Sequence, residues 1–448
     1  MPHDLADLTA RMLDAARAAG ADAADALAVD GTSLSIDVRA GALEQAERAE
    51  GIDIGLRVLI GQRQACVSAN DIRPETLSQM AERAVAMARE APEDPYAGLA
   101  DPAQLARDTD SAALELSESA PEPDPAALQD QALRAEAAAL AVTGVTQVQS
   151  ASAGYTRRRI HLAATNGFSA GYARSDNGLS CVAISGTGTG MERDYDYDSR
   201  IFRADLRDAE EIGRIAGERA VERHGARRPK TGAYPVLYDE RISGGLIGHL
   251  LSAANGAAIA RGQSWLRGAL GEEVLPKGLS LTENPHRPRV ASSRMFDAEG
   301  LPTAPRDIVA DGVLQGWTLD LATARKLGMD SAASAARGTS APPQPSLTNV
   351  ALTQGDRTRA DLLAEMGTGL LVTSLIGSTI NPNTGDYSRG VSGFWVEGGQ
   401  IAYPVNECTI AGNLRDMLRR ITPANDARTH LSHVVPSLLV EGLTLAGD

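Results

Sequence analysis

Cysteine is scarce in this chain: there are 3 in 448 residues, Cys66, Cys181 and Cys408, far apart and with no C-x-x-C pair. That spacing argues against a disulfide framework and against a zinc ribbon, and it predicts that the thiols are packing residues. Aromatic residues make up only 4% of the sequence, which leaves little for a base-stacking surface. Basic residues are outnumbered, 43 Lys and Arg against 58 Asp and Glu, and the net charge of -15 has the wrong sign for a phosphate backbone or an anionic membrane. No apolar run approaches the roughly 20 residues that span a bilayer, and the start MPHDLADLTARML lacks a charged-then-apolar leader. A cytoplasmic protein is expected, with neither nucleic acid nor membrane as partner.

Common catalytic signatures are missing too. There is no G-x-S-x-G elbow and no G-x-x-x-x-G-K-[ST] loop, and none of the 7 histidines is followed by Glu. The GTGTG run at 186–190 reads as the continuation of a strand, not as a phosphate cradle.

What is present predicts an α+β fold, with N-terminal helices packed on mixed or antiparallel sheets and a β-rich C-terminal domain that embeds one helix. Leu5, Leu8, Met12, Leu13 and Ala16 recur at helical spacing over residues 4–19, with Asp4 as cap and Gly20 as stop. Alternation over 33–39, 52–60 and 64–69 predicts an antiparallel meander, followed by a helix from about Pro74 to Ala91. Residues 93–125 form a linker or crossover, since the stretch from Pro92 to Pro125 holds many acids, little periodicity and many prolines. A helix over 124–142 precedes strands near 145–153, 157–164, 168–175 and 179–189, with turns at Asn166-Gly167 and Asn177-Gly178. A helix over 205–224 follows. The expected domains are 1–92, 126–227 and 228–448.

Three constellations stand out. Asp194, Asp196 and Asp198 alternate, so in a strand their carboxylates face one way and Tyr195 and Tyr197 the other. They read as a solvated face eased by Arg193 and Arg200, or alternatively as an attractor for a hard cation. The segment 381–404 places Asp386, Tyr387, Arg389, Phe394 and Trp395 among glycines, and these are candidate peptide or interface contacts if the segment is more than a buried hairpin. The segment ERISGGLIGHLLSAANG (240–256) holds one histidine, His249, where a zinc-peptidase helix needs two histidines one turn apart and a glutamate beside the first.

That helix, with FDAEGLPT (296–303), DGVLQGWTLDLATARKLG (311–328) and the block 384–417, resembles the TldD/PmbA metallopeptidase family, in its PmbA (TldE) branch. By this resemblance Gly244 and Gly245 stand where H-E-x-x-x-H carries its first His and its Glu, and neither glycine can bind metal or take a proton. The family's third ligand, a tail cysteine, falls nearest Val435, so no metal is expected in this chain. His430 and His433 with His249 offer the one alternative set. The resemblance further implies a zinc-bearing TldD-type subunit as partner, with self-association as a homodimer the alternative, and unfolded peptide as substrate. His249 is then either part of a site shared with a partner subunit or a helix histidine held by packing.

Overall fold

Asp4 opens the first helix, its side chain accepting the backbone N–H groups of Ala6 and Asp7 at 3.0 and 3.2 Å. The computed structural model describes residues 3–448. Helix α1 (Leu5–Ala18) buries Leu5, Leu8, Met12, Leu13 and Ala16, the face its spacing predicts. Next come β1 (Ala23–Arg39), β2 (Ala42–Ile60), β3 (Arg63–Ala69) and α2 (Pro74–Glu90). Beyond the crossover, which holds two single-turn 3-10 helices, lie α3 (Pro125–Leu140), β4 (Val145–Ala164), β5 (Ser169–Ser185), β6 (Glu192–Arg200) and α4 (Ala209–Glu222).

The six strands form one antiparallel sheet in the order β3-β2-β1-β4-β5-β6, so strands from both sides of the crossover pair with each other. Even-numbered β1 residues face the helices: Ala24, Ala26 and Ala28 pack with α1 and α2, and Leu34, Ile36 and Val38 with α3 and α4. The odd-numbered face, with Asp25, Leu27 and Val29, turns to the C-terminal half.

Several sequence expectations are corrected here. Residues 145–164 and 169–185 are two unbroken strands, and Asn177-Gly178 is not a turn. The Asn177 side-chain N–H groups donate instead to Glu118 Oε1 at 3.1 Å and the Ile201 carbonyl at 3.0 Å, so tertiary contacts override the local turn signal. GTGTG does not continue the strand but turns the chain from β5 to β6. Residues 42–51, unexpected as strand because they are polar and exposed, extend β2 through their pairing with β1.

The C-terminal half opens with β7 (Gly232–Tyr238) and α5 (Glu240–Ala253). Strands β8 (Gly369–Ile380), β9 (Asp386–Glu397), β10 (Gln400–Asn413) and β11 (Leu438–Ala446) then build a sheet with β7 in the order β10-β9-β8-β7-β11. Pairing of β10 with β11 closes it into a barrel. Among the described residues no helix is long and apolar enough to cross a membrane. The three cysteines are free, and burial pushes the Cys181 thiol up to about 12 and Cys408 to about 11.

The two halves meet through a buried charge cluster. A C-terminal hairpin (Ala335–Ala336 paired with Gln344–Pro345) carries Arg337 to Asp25 on β1, and Asp25 also takes the Nε–H of Arg57 on β2 at 2.7 Å. The Arg337 side chain is 0% exposed and those of Asp25 and Arg57 4%. A Cβ on Gly55 would lie 2.1 Å from the Thr339 carbonyl oxygen, so only glycine lets the hairpin seat there. Nearby, Glu299 accepts the backbone N–H of Leu321 at 2.8 Å, and burial, with Asp297 adding repulsion, pushes its carboxyl up to about 8.

Asp25→Asn leaves two buried guanidiniums facing a neutral amide, and urea denaturation is expected to show a loss of about 3–5 kcal/mol. Glu299 holds its proton to higher pH when folded than when unfolded, so stability contributed by the neutral form falls as pH rises from about 4.5 to about 8. The slope reaches at most about 1.4 kcal/mol per pH unit. Glu299→Gln should flatten this part of the stability–pH curve, and an unchanged slope would assign the proton to another group.

Candidate functional site around His249

Helix α5 forms because Asp239 caps it, taking the N–H of Arg241 at 3.1 Å, and because Leu246, Ile247, Leu250 and Leu251 give it a buried face. Its position relative to the sheet is fixed by charge. Arg241 reaches Asp194 on β6 at 2.9 Å and Asp239 at 3.2 Å. Asp194 also meets Arg223 at 3.3 Å, Asp196 meets Arg207 at 2.7 Å and Arg219 at 2.8 Å, and Asp198 meets Arg200 at 3.0 Å. The solvated-face reading of Asp194, Asp196 and Asp198 is therefore wrong. The alternation was legible, but the carboxylates point under α4 and α5, are 2–5% exposed, and leave Tyr195 and Tyr197 outside. Of the two arginines expected to ease the charge, Arg200 does so, together with Arg207, Arg219, Arg223 and Arg241, whereas Arg193 bonds Gln149.

The other face of α5 is open. A Cβ added at Gly244, Gly245 or Gly248 would meet nothing within 4 Å, so the positions that would carry a zinc helix's histidine and glutamate look into free space. His249 lies beside that face, edge-on to Tyr387 with ring centroids 5.8 Å apart. The Tyr387 hydroxyl is 3.5 Å from that of Tyr238, at the end of β7. Burial, reinforced by the Arg389 guanidinium, holds the His249 pKa below its ordinary value, so the imidazole is neutral near pH 7. His249 Nε2 and Arg389 Nε are both buried without a hydrogen-bond partner. The site thus holds a neutral imidazole nitrogen and a guanidinium N–H whose hydrogen-bonding capacity is unmet.

The other candidates separate. Tyr387 and Arg389 alternate on β9 toward His249, whereas Phe394 packs in a different core with Leu362, Leu363 and Met366. Trp395 lies in the main core, 4.9 Å from Tyr234, its indole donating to Glu397 at 2.9 Å. Asp386 is exposed and bound to Asn413 at 3.1 Å. Tyr238 and the Asp194–Arg241 tether escaped the sequence reading, although the aspartate alternation was their visible sign.

The residues present do not fit a zinc ion. Among the described residues no group of three or more His, Cys, Asp or Glu is arranged to hold a metal. His430 turns to Asp198, 3.5 Å away, and His433 begins a short strand paired with Val350, so neither joins His249 in such a group. Val435, the tail position nearest the family cysteine, is buried, and its carbonyl accepts the Ser243 hydroxyl of α5 at 3.4 Å. The tail therefore reaches α5 through a backbone carbonyl.

Comparison with known proteins agrees along almost the whole chain. PmbA/TldA metallopeptidase domain 1 matches residues 24–88, the central domain of the same family 97–223, and its C-terminal domain 231–447. The chain is similar to Metalloprotease PmbA of Escherichia coli O157:H7, 35% identical over 429 residues that cover 95% of this chain and 93% of the relative. It is also 35% identical to a Metalloprotease PmbA homolog of Haemophilus influenzae over 421 residues, 93% of this chain and 90% of that protein. A crystal structure from Bacteroides thetaiotaomicron, described as a proposed modulator of DNA gyrase, superposes with a TM-score of 0.92 at 26% identity and covers 100% of both chains. TldE from Thermococcus kodakarensis shares the fold, with a TM-score of 0.85 at 19% identity over 98% of this chain and 100% of that one.

Since the glycine face of α5 has room for a Cβ, Gly244→Ala and Gly245→Ala are each expected to raise stability by about 0.5–1 kcal/mol in urea denaturation. A loss of stability would show that something packs against this face.

Proposed function

This chain belongs to the PmbA/TldD metallopeptidase family, and from that premise we propose that it is the metal-free subunit of a two-chain peptidase acting on unfolded peptides. The observation that carries this reading is the open glycine face of α5 beside a neutral, unpartnered His249. The helix is 14 residues long and capped by Asp239, but it has no group at Gly244 or Gly245 that binds metal or accepts a proton. In this proposal the zinc, which polarises the scissile carbonyl and activates water, belongs to the TldD-type partner. His249, Tyr387 and Arg389 line the wall opposite, where the imidazole nitrogen and the guanidinium orient the peptide backbone and the tyrosine ring excludes water.

The test compares zinc content and cleavage of an unfolded polypeptide for this chain, for a TldD-type subunit and for the mixture. The expected result is no zinc and no cleavage for this chain alone, with the mixture more active than the partner by itself. His249→Ala and Arg389→Ala should each lower kcat/KM of the mixture about tenfold, the effect of losing roughly 1.4 kcal/mol of transition-state binding. About one equivalent of zinc retained by the isolated chain and lost on His249→Ala would overturn the reading.

A further inference from the structure

Three arginines converge where the N-terminal sheet faces the C-terminal half. Arg158 on β4 and Arg174 on β5 are direct partners in the strand register, a placement that like charges oppose. Arg174 lies over the Tyr172 ring at 5.0 Å and donates to the carbonyls of Ala291 and Ser293. That segment leads into Arg294, which donates to the Ala335 and Ser346 carbonyls at 2.8 and 3.0 Å and keeps a buried Nε without a partner. Among the described residues none of the three has a carboxylate within ion-pair distance, and Arg158 has no hydrogen-bond partner either. Carbonyls satisfy N–H groups but leave the charge in place, and burial holds the Arg294 pKa below its ordinary value. Buried cations are normally paired, so a cluster built this way favours a negative charge beside it.

The cluster borders one cleft. A cavity of about 630 Å³ between the sheet and the C-terminal half is lined by Arg158 and Arg294, together with Arg337, whose own charge meets Asp25. Gly31, the β1 partner of Arg158, is also in its wall. A Cβ there would sit 3.2 Å from Arg158 Cγ, so the glycine lets the arginine stem lie across the strand. Two residues along, Val29, Ile160 and Tyr172 form an apolar row over β1, β4 and β5. Phe296 stands edge-on to Tyr172, ring centroids 5.6 Å apart. Positive charge thus lies beside an aliphatic and aromatic surface. The acids of the cleft are engaged or distant. Asp297 is held by the N–H groups of Glu299, Leu301 and Ala335, Glu50 pairs with Arg48, and Asp53 is on β2, two strands from Arg158. Asp176 feels the charge of Arg158 from beyond ion-pair distance and accepts from Ser199 at 2.8 Å.

We propose that this cleft binds a small monocarboxylate bearing an aromatic or branched apolar group, with the carboxylate at Arg158 and the apolar group on Val29, Ile160 and Phe296. Arg158 makes the contact because its guanidinium is committed to no other group, while Arg174 and Arg294, fixed by carbonyls, add positive potential without moving. One negative charge suits this cluster, whereas Glu50, Asp53 and Asp297 in the same walls repel phosphates and nucleotides. The volume admits a single aromatic acid or the C-terminal residue of a short peptide, which presents the same chemistry. The inference goes beyond the accessory-subunit reading and does not depend on it, since the site needs neither zinc nor a TldD-type chain.

The test is isothermal titration calorimetry of the full-length chain with N-acetylphenylalanine, its amide, N-acetylglycine and inorganic phosphate. N-acetylphenylalanine should bind, with the amide and N-acetylglycine each about tenfold weaker or more, because one loses the charge and the other the ring, and phosphate should not compete. Arg158→Gln should weaken binding about tenfold and leave the melting temperature unchanged or raised, since it also relieves repulsion from Arg174. Arg157→Gln, in the cleft on the helix face of the same strand, should leave the affinity unchanged. Tighter binding of the free tripeptide alanyl-alanyl-phenylalanine than of N-acetylphenylalanine would identify a peptide end as the source, and the reverse order a single acid. Equal affinity for acid and amide, competition by phosphate, an unchanged affinity in Arg158→Gln, an equal loss in Arg157→Gln, or no saturable binding would each overturn the proposal. Activation of a TldD-type partner is read in a separate assay, so the failure of either proposal leaves the other standing.

Discussion

One buried carboxylate, Asp25, fixes the position of the C-terminal half on the N-terminal sheet. It sits between the guanidiniums of Arg57 and Arg337, with all three side chains nearly or wholly removed from water. An ionised group so placed is tolerable only while its partners stay, which makes the contact specific in position as well as in charge. Burial pulls both arginines below their ordinary pKa, Arg337 to about 10. The hairpin tip that carries Arg337 reaches the sheet because Gly55 presents no side chain. Between the strands and the C-terminal half lies a cleft lined by Val29 and Ile160 on the sheet, Phe296 on the segment before Glu299, and Arg337 and Thr339 of the hairpin.

A second set of charges performs the same task for α5. Asp194 binds arginines from α4 and α5 at once, so the helix that carries His249 is anchored to a strand of the other half. The result is a helix whose cap, buried face and attachment are all in place, while its open face carries glycine at three positions. A scaffold and the chemistry placed on it can vary independently. Here the scaffold matches a metallopeptidase family from end to end, and the groups left beside it are a neutral imidazole, a tyrosine ring and a guanidinium.

Local signals were legible wherever the physics is local. The cap at Asp4, the buried stripe of α1 and the turn at Asn166-Gly167 follow from residues within a few positions of one another. Asn177-Gly178 failed because a buried amide found partners at Glu118 and Ile201, which no window around 177 contains. The candidates of the 381–404 segment split for a related reason. Phe394 and Trp395 are neighbours on a strand and so face opposite ways, one into the core against residues 362–366 and the other toward Tyr234. The sequence placed Tyr387, Arg389 and His249 under suspicion separately, and the pairing of β9 beside α5 brings them together.

From the sequence alone follow the α+β class, the longer helices and the Asp4 cap, the resemblance to a peptidase family, and the lack of any His-Glu pair on the helix that would need one. Each depends on spacing along the chain, which residue type and helical or strand period encode directly. Tertiary structure alone decided which face of the Asp194–Asp198 strand is covered, which carboxylate keeps its proton, and that Asp25 meets an arginine 312 positions away. Those outcomes depend on loss of water and on the nearest opposite charge, and both are set by whatever the fold brings alongside.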